Sequence, residues 1–225
     1  MPSIKNVRKA EFLSVGTLLQ STPDDFSGII LGAGMDDVCK TFKKARIQGV
    51  RGYLTKKNLG IRGDILLGDP GLLVAVVYPE PEPKKYELGI VPHFVDINDS
   101  IVSRWKKRFG ERATIIDVRR KPANVIRDIK QCKNVISSSL HGLVTADAFG
   151  IPNIMYVIRR NISRRHDHKY RDYYSAMEKD LELIEVDGNE PIDYFLSRVT
   201  DKSSSVEPLK RDLHSAYLNL ANYLD

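Results

Sequence analysis

One segment of the sequence combines an apolar, strand-like run with a helix that follows it directly. Their junction brings together serine hydroxyls, helix N–H groups and an imidazole. The run ends in three serines, and the helix then begins at Leu140, with His141 in its first turn. A helix N-terminus of this kind binds phosphate and carboxylate groups through its backbone N–H groups. The predicted anion-binding residues at this junction are Ser137, Ser138, Ser139, Leu140 and Gly142.

His141 is the predicted catalytic residue of this junction. The helix dipole lowers the proton affinity of a histidine at this position, whereas a bound anion raises it. A histidine whose pKa is subject to these two opposing effects can act as a general acid near neutral pH. The same pattern also fits a structural role, in which the serines cap the helix and His141 packs against its neighbours. The sequence leaves both interpretations open.

A second histidine follows another apolar run. His93 comes directly after Pro92, and Asp96 stands three residues further on. It is the second candidate for a catalytic acid, facing a phosphate or an acceptor hydroxyl. The alternative is a loop residue that the rigid proline holds in place.

Arg51 and Asp69 also follow apolar runs. Arg51 lies between Val50 and Gly52, just before a predicted helix whose first turn contains Thr55. Its guanidinium group can bind a carboxylate or phosphate through two parallel N–H bonds, or it can pair with a structural acid. Asp69 lies in a Gly-Asp-Pro-Gly sequence, which a tight turn explains more simply than a binding site does.

The protein is basic, with 35 lysines and arginines against 29 aspartates and glutamates, and its formal net charge is +6. This balance favours an anionic partner. The basic residues gather in segments 104–112, 118–121 and 158–169. The third segment, which includes Arg159 and Arg160, could meet an anionic ligand or a membrane surface, or it could be a solvated loop. The clusters contain few aromatic residues, so a nucleic-acid partner is not expected.

Several kinds of site are missing from the sequence. There is no Walker-type glycine loop, no His-x-x-x-His pair and no cysteine cluster, so neither a metal nor a cofactor is expected. Cys39 and Cys132 are far apart, and we expect both to be buried thiols of a cytoplasmic protein. No run of about 18 apolar residues could span a membrane. The third basic segment would still allow peripheral association with the inner face of a membrane.

Short apolar runs alternate with helix-length amphipathic segments. Several runs are nearly continuous in apolar residues, as are strands that a parallel sheet buries on both faces. The predicted strands are 11–16, 28–34, 45–50, 64–69, 86–93, 113–118, 134–139, 153–158 and 182–187. The predicted helices include 99–109, 122–132, 140–149 and 206–224. This alternation predicts an α/β fold with right-handed crossovers.

A proline-rich segment, 78–85, interrupts the pattern. Its three prolines at alternate positions exclude a helix or a central strand and predict a stiff, extended linker. We therefore predict a partial N-terminal α/β domain at 1–78, a linker at 79–85, a Rossmann-like domain at 86–205 and a C-terminal helix at 206–225.

Five short motifs follow one another along the chain: Val-Arg-Gly, Gly-Asp-Pro, Gly-Ile-Val-Pro-His, Ser-Ser-Leu-His-Gly and Ala-Phe-Gly-Ile-Pro. With the later Asp-Tyr-Tyr segment at Tyr173, they resemble the polysaccharide pyruvyl transferase family. The resemblance runs from about Leu13 to about Asp187. Each motif alone is unspecific, and their shared order and spacing carry the resemblance.

The resemblance implies a fold like that of GT-B glycosyltransferases, with a truncated N-terminal half and a donor-binding domain at 86–205. It implies phosphoenolpyruvate as co-substrate, a glycan or lipid-linked oligosaccharide as acceptor, and a pyruvate ketal as product in exopolysaccharide biosynthesis. Arg51 would then bind an anion, and His141 would occupy the catalytic or donor-binding position.

The chain departs from the family pattern in two places. Many members carry an arginine where Ser139 stands, and the loss of that cation removes a contact worth about 1.5–3 kcal/mol. An arginine of segment 159–165 could compensate. Members also usually begin with a strand and a polar loop ahead of the segment near Phe12, so we expect an N-terminal half that is incomplete by the family's standard.

Two other functions fit the same sequence. A GT-B-type glycosyltransferase would place the diphosphate of a nucleotide-sugar at the same helix N-terminus. A non-catalytic member would serve as a partner in a glycan-assembly complex, which Ser139 and the short N-terminal half would explain.

Overall fold

The computed structural model describes residues 10–160 and 167–221. Contacts divide the chain into two compact units. Unit 1 consists of Met1–Leu73, His166–Leu181 and Glu207–Asp225, and unit 2 consists of Val74–Arg165 and Glu182–Val206. The ladders of both sheets are parallel within the described ranges, so the predicted α/β class is confirmed.

The elements follow the predicted alternation. The strands are β1 (Phe12–Leu13), β2 (Ile29–Leu31), β3 (Arg46–Val50), β4 (Leu66–Leu67), β5 (Tyr86–Val91), β6 (Ala113–Ile115), β7 (Cys132–Ser137), β8 (Asn153–Ile158) and β9 (Leu183–Val186). The α-helices are α1 (Tyr53–Asn58), α2 (Val74–Val77), α3 (Ser100–Phe109), α4 (Pro122–Lys130), α5 (Leu140–Ala148), α6 (His168–Ser175), α7 (Ile192–Leu196) and α8 (Ser203–Ala221). Each predicted strand and helix named above overlaps one of these elements.

Unit 1 is built on a four-stranded sheet in the order β1-β2-β3-β4. Leu13, Ile30 and Val50 form its core with Leu19 and Met35, and all five are nearly or fully buried. The C-terminal part of α8 belongs to this unit. Its Tyr217 hydroxyl donates to the Leu31 carbonyl oxygen at 3.1 Å, so α8 is fastened directly to the end of β2.

A buried ion pair joins the end of β3 to α6 in unit 1. The side chains of Arg51 and Asp172 are both fully buried, and Nε of Arg51 donates to Oδ2 of Asp172 at 2.9 Å. The same carboxylate accepts the backbone N–H of Thr55 at 2.8 Å and its hydroxyl at 2.7 Å. Arg51 also donates to the Thr17 hydroxyl at 2.8 Å and to the Met35 carbonyl oxygen at 3.5 Å. The buried charges are therefore both paired and hydrogen-bonded, as burial requires.

Two glycines make room for this pair. A Cβ atom on Gly52 would lie 1.7 Å from the carbonyl oxygen of Asp172, and one on Gly34 would lie 2.2 Å from Cζ of Arg51. Neither backbone nor a buried guanidinium can move aside cheaply. The glycines of the Gly-Ala-Gly and Val-Arg-Gly sequences thus allow α6 and β3 to approach closely.

Unit 2 is built on a five-stranded parallel sheet in the order β6-β5-β7-β8-β9. Counted from β5, this is the doubly wound order 2-1-3-4-5, in which the chain reverses its direction of winding between β5 and β7. One core cluster contains Trp105 of α3 and Phe195 of α7, and a second contains Ile129 of α4 and Ala146 of α5. Apolar residues of the sheet belong to both clusters, which makes unit 2 Rossmann-like.

Residues 78–85 form neither helix nor strand. Two lysines fasten this segment to the junction of α4 and β7. Lys130 donates to the carbonyl oxygens of Tyr78 and Glu80, while Lys84 donates to those of Lys130 and Cys132 at 2.9 and 2.8 Å. The proline-rich segment is therefore packed as part of unit 2.

The contact-based units divide the chain differently from the sequence-based segments. Residues 166–181 and the chain from Glu207 onward fall in unit 1, although they follow strands of unit 2. The reason is long-range pairing, because Asp172 completes the ion pair of Arg51 and Tyr217 bonds to β2.

The prediction for the cysteines holds in part. Neither forms a disulfide, and Cys132 is buried as expected, but Cys39 is exposed. The expectation of a buried Cys39 was wrong because the segment between β2 and β3 runs along the surface of unit 1. Across the two described ranges, no helix combines the length and apolar character needed to cross a bilayer.

The buried pair gives a direct prediction for stability. Replacing Asp172 by alanine leaves the Arg51 guanidinium buried without a counter-charge, which should lower the free energy of unfolding by about 3–5 kcal/mol. Urea unfolding followed by circular dichroism measures this change. The control is Asp180→Ala, an exposed carboxylate of the same unit, which should change stability by no more than about 0.5 kcal/mol.

A loss below about 1 kcal/mol for Asp172→Ala would contradict a central role for the pair. If that variant does not fold, Thr17→Ala tests the same network, because it removes only a neutral acceptor. It should cost about 1 kcal/mol.

Candidate functional site

The carboxyl ends of β5 and β7 are where an open α/β sheet of this order binds ligands. The rule places the site in the crevice at the topological switch point, which in unit 2 lies between these two strands. Val91, the last residue of β5, pairs in register with Ser137, the last residue of β7. His93 and the turn containing Ser138 and His141 therefore extend from the same edge of the sheet.

Ser138 ties the two strand-end loops together. Its hydroxyl accepts the backbone N–H of His93 at 2.9 Å and donates to Oδ2 of Asp96 at 2.7 Å. The Asp96 N–H in turn donates to the His93 carbonyl oxygen at 2.8 Å. The loop after β5 is thus held to the turn after β7 by side-chain and backbone bonds together, and this fixes the backbone that carries His93.

Ser137 holds the turn itself. Its hydroxyl lies 2.8 Å from the carbonyl oxygens of both Val91 and Ser139, and it accepts the Ser139 N–H at 2.9 Å. A Cβ atom on Gly142 would lie 2.3 Å from this hydroxyl oxygen and 2.8 Å from Cγ1 of Val91. The glycine after His141 therefore lets α5 start directly against the ends of β5 and β7.

Ser139 occupies the N-cap of α5 with extended backbone angles, but its side chain makes no capping hydrogen bond. Its carbonyl oxygen accepts the N–H groups of Gly142 and Leu143 at 3.1 and 3.3 Å. Ser139 therefore does not cap α5 through its hydroxyl. The N–H groups of Leu140 and His141 come before these two bonds, at the start of the helix, where backbone N–H groups suit an anion.

His141 lies on the least buried face of α5. Every residue of this helix is buried except His141 and Thr145, which are one turn apart and half-buried. The far end of the helix is anchored by Asp147, which accepts from the Asn153 side chain at 2.6 Å and lies 3.6 Å from Nζ of Lys202. A helix fixed at its C-terminal end therefore carries His141 next to the edge of the sheet, with the Nε2 atom of the imidazole buried.

His93 is half-buried and stands beside two exposed apolar residues. Its ring centroid lies 4.4 Å from that of Phe94 with the planes tilted by 39°. Phe94 and Val95 are 59% and 68% exposed. The exposed ring of Phe94 therefore provides an apolar surface beside a candidate acid, where a ligand bound at the switch point could contact it.

Two arginines follow β8, the next strand along the same edge. Arg160 pairs with Asp99, the N-cap residue of α3, and Arg159 lies 3.7 Å from Glu185. Both side chains are more than half exposed, so a bound anion can reach their guanidinium groups. Arg164 and Arg165, the other candidates to compensate for Ser139, lie outside the described residues.

Arg51 and Asp69 belong to unit 1 and have structural surroundings. The guanidinium of Arg51 is bound by Asp172, Thr17 and the Met35 carbonyl, which matches the alternative of a structural ion pair. Asp69 is fully buried, and its Oδ1 accepts the Gly71 N–H at 2.8 Å, as the tight-turn explanation expects. The anion-binding role that the resemblance implied for Arg51 stays a prediction.

Two carboxylates have partners that the sequence did not predict. Asp99 caps α3, as its residue type suggests, and also binds Arg160; in unit 1, Asp172 completes the Arg51 pair. The Asp-Tyr-Tyr motif was a signal for Asp172, but no local pattern says which cation a distant carboxylate meets. Within 10–160 and 167–221, no three histidine, cysteine or acidic side chains are grouped as metal ligands.

Comparisons with known proteins agree with the order of motifs. The family described as polysaccharide pyruvyl transferase matches residues 17–160. Uncharacterized protein L143 of Acanthamoeba polyphaga mimivirus is 31% identical over 179 residues, which cover 73% of this chain and 59% of that protein. Succinoglycan biosynthesis protein ExoV of Rhizobium meliloti (strain 1021) is 29% identical over 163 residues, which cover 68% of this chain and 50% of that protein.

This chain thus spans between half and three fifths of the length of these relatives. The matched family region contains the end of β5, the Ser137–Gly142 turn and both arginines after β8. Because the match extends over more than half of the sequence, the chain belongs to the polysaccharide pyruvyl transferase family.

Proposed function

We propose that this protein transfers a pyruvyl group from phosphoenolpyruvate to a polysaccharide, and that unit 2 binds the donor at the ends of β5 and β7. The proposal rests on the residues that lie together at the switch point. Two histidines, an uncapped helix start and two exposed arginines follow three adjacent strands at this edge. Family membership and the likeness to a succinoglycan biosynthesis protein support a polysaccharide acceptor.

The donor needs several cationic or N–H partners because it carries both a phosphate and a carboxylate. The first turn of α5 supplies N–H groups for one of these two anionic groups. Arg160 is the best-placed cation for the other, because it is exposed and already held beside the β5 loop through Asp99. It would take over the contact that an arginine at position 139 provides in other members.

The reaction balances without an outside co-reactant. A general acid protonates the methylene carbon of phosphoenolpyruvate, which becomes a methyl group, and positive charge develops at the neighbouring carbon. A sugar hydroxyl attacks that carbon and loses its proton to the protein. The carbon–oxygen bond to phosphate breaks, a second hydroxyl closes the ketal, and its proton leaves with inorganic phosphate.

His141 is the proposed acid, with His93 as the second choice. His141 lies in the first turn of α5, whose N–H groups would hold the donor. His93 is carried by a loop that Ser138 and Asp96 fasten, and it would face the acceptor or take up the hydroxyl proton. Both roles need the imidazole to exchange a proton near neutral pH.

Phosphate release from phosphoenolpyruvate in the presence of bacterial exopolysaccharide tests the proposal. His141→Gln should lower kcat by about 10²–10⁴-fold, because it removes a positioned acid and keeps the size of the side chain. His93→Gln should give a smaller loss. His214→Gln, a half-buried histidine of unit 1, is the matched control and should leave the rate unchanged.

Undiminished turnover by His141→Gln would rule out His141 as the acid. If the wild-type protein releases no phosphate with any exopolysaccharide but is stabilised against heat by a nucleotide-sugar, the glycosyltransferase alternative replaces this proposal. A folded protein that responds to neither donor would favour a non-catalytic role.

Arg160 gives a separate prediction about donor affinity. Arg160→Gln should raise KM for phosphoenolpyruvate about 10- to 150-fold, the loss expected for a hydrogen bond between charged groups. Arg112→Gln is the matched control, because Arg112 is an exposed, ion-paired arginine at the start of β6, the opposite edge of the same sheet. Equal KM values for the two variants, measured by the same phosphate-release assay, would contradict the assignment of Arg160.

A further inference from the structure

Unit 1 has a large open concavity that the proposed donor site does not use. Its volume is about 990 Å³, at the upper end of what small-molecule sites occupy and large enough for several sugar rings. The segment between β2 and β3 and the end of α1 supply most of its walls.

Lysines dominate the charged lining of this concavity. Lys43, Lys44 and Lys57 are exposed, and no hydrogen bond or ion pair engages their ammonium groups within the described part of the chain. Lys40 also lines it, but its Nζ lies 3.1 Å from Asp24 and its side chain is only 15% exposed, so the charges of that pair cancel. We call the surface formed by Lys43, Lys44, Lys57, Gln20 and Asn58 the lysine groove.

Asp25 is the remaining acid of the lining, so three exposed cations face one uncompensated carboxylate. Such an excess in a concave surface creates a local positive potential that attracts anions. The amides of Gln20 and Asn58 also line the groove, where they are hydrogen-bonded to Thr17 and Asp36 of unit 1. The combination of positive charge spread over three lysines and a large open volume suits an anionic carbohydrate better than a compact anion.

We propose that the lysine groove binds carboxylate-bearing repeats of the acceptor polysaccharide. This rests on the proposed function, because each pyruvyl transfer adds one carboxylate to the polymer. A chain that has already been modified on earlier repeats is therefore a polyanion. The groove would hold that modified stretch and keep the polymer associated with the protein between transfers.

Cys39 gives a readout that does not depend on activity. This thiol is exposed and lines the same concavity, whereas Cys132 is buried, and burial raises its pKa to about 12. Alkylation of the folded protein should therefore occur at Cys39. A ligand in the groove should slow it, and the charge of the reagent reports the local potential.

The first measurement compares the alkylation rates of Cys39 with anionic iodoacetate and neutral iodoacetamide. The positive potential of the groove should raise the ratio of the iodoacetate rate to the iodoacetamide rate. This ratio should fall as salt is added. The variant Lys43→Gln/Lys44→Gln/Lys57→Gln should lower the ratio of the two rates. The control Lys107→Gln/Lys133→Gln/Lys179→Gln removes the same charge from exposed positions outside the groove and should keep the wild-type ratio.

The second measurement adds oligogalacturonate, a carboxylated glycan, as the probe. At ten times its Kd it should slow the iodoacetamide reaction about tenfold. The groove variant should lose this protection, and the control variant should keep it. A neutral maltooligosaccharide should protect neither.

Three results would overturn the proposal. They are protection by inorganic pyrophosphate but not by oligogalacturonate, equal protection of the groove and control variants, or a rate ratio that the groove lysines do not affect. None of these depends on pyruvyl transfer, so a failure here leaves the proposed function standing. An inactive donor site would likewise leave the binding result intact.

Discussion

The hydroxyl of Ser138 holds together the two loops on which the proposed chemistry depends. Parallel pairing of β5 and β7 brings two strand ends to one edge, but pairing alone does not fix the loops beyond the strands. Ser138 does so by accepting the His93 N–H and donating to Asp96. Ser137 does the same for the turn, and Gly142 leaves room for it. Residues that look like three equivalent anion ligands in the sequence therefore have different tasks.

The buried Arg51–Asp172 pair is the corresponding constraint in unit 1. An arginine between a strand and a glycine looks like an anion-binding residue, because that is where ligands approach a parallel sheet. In the structure each of its three nitrogens donates one hydrogen bond to a protein oxygen, and Asp172 also binds the start of α1 through Thr55. The Val-Arg-Gly and Asp-Tyr-Tyr motifs are distant in sequence but form one packed network. Their recurrence in the family pattern has a structural explanation that needs no ligand.

The sequence predicted the secondary structure well because strand and helix periodicity are local. Each strand of the described residues overlaps a predicted apolar run, and Asp99 caps α3 as its residue type suggests. The return of α6 and α8 to unit 1 was not predictable in this way, since it depends on pairings across 121 residues for Arg51 and Asp172 and 186 residues for Tyr217 and Leu31. The exposure of Cys39 could not be predicted for the same reason. Burial depends on which distant residues pack over a side chain, and the segment around Cys39 has no periodic pattern that would indicate a buried face.

The switch point was foreseeable as a site only after the strand order was known. His93 and His141 could each be singled out by their position at a strand end, but nothing local shows that β5 and β7 are neighbours while β6 lies on the other side. Strand order also explains why the arginines after β8 belong to the same edge as the histidines. Their roles as donor ligands and acids stay predictions that rest on this placement.

The most direct test of the donor site is a titration of ¹⁵N-labelled protein with phosphoenolpyruvate, followed by backbone amide NMR shifts. The account predicts saturable shifts at the amides of His93 and of Ser139–Gly142, with little change around Arg51. Saturable shifts confined to other residues, or no shift at concentrations that support phosphate release, would contradict the placement of the donor at the ends of β5 and β7.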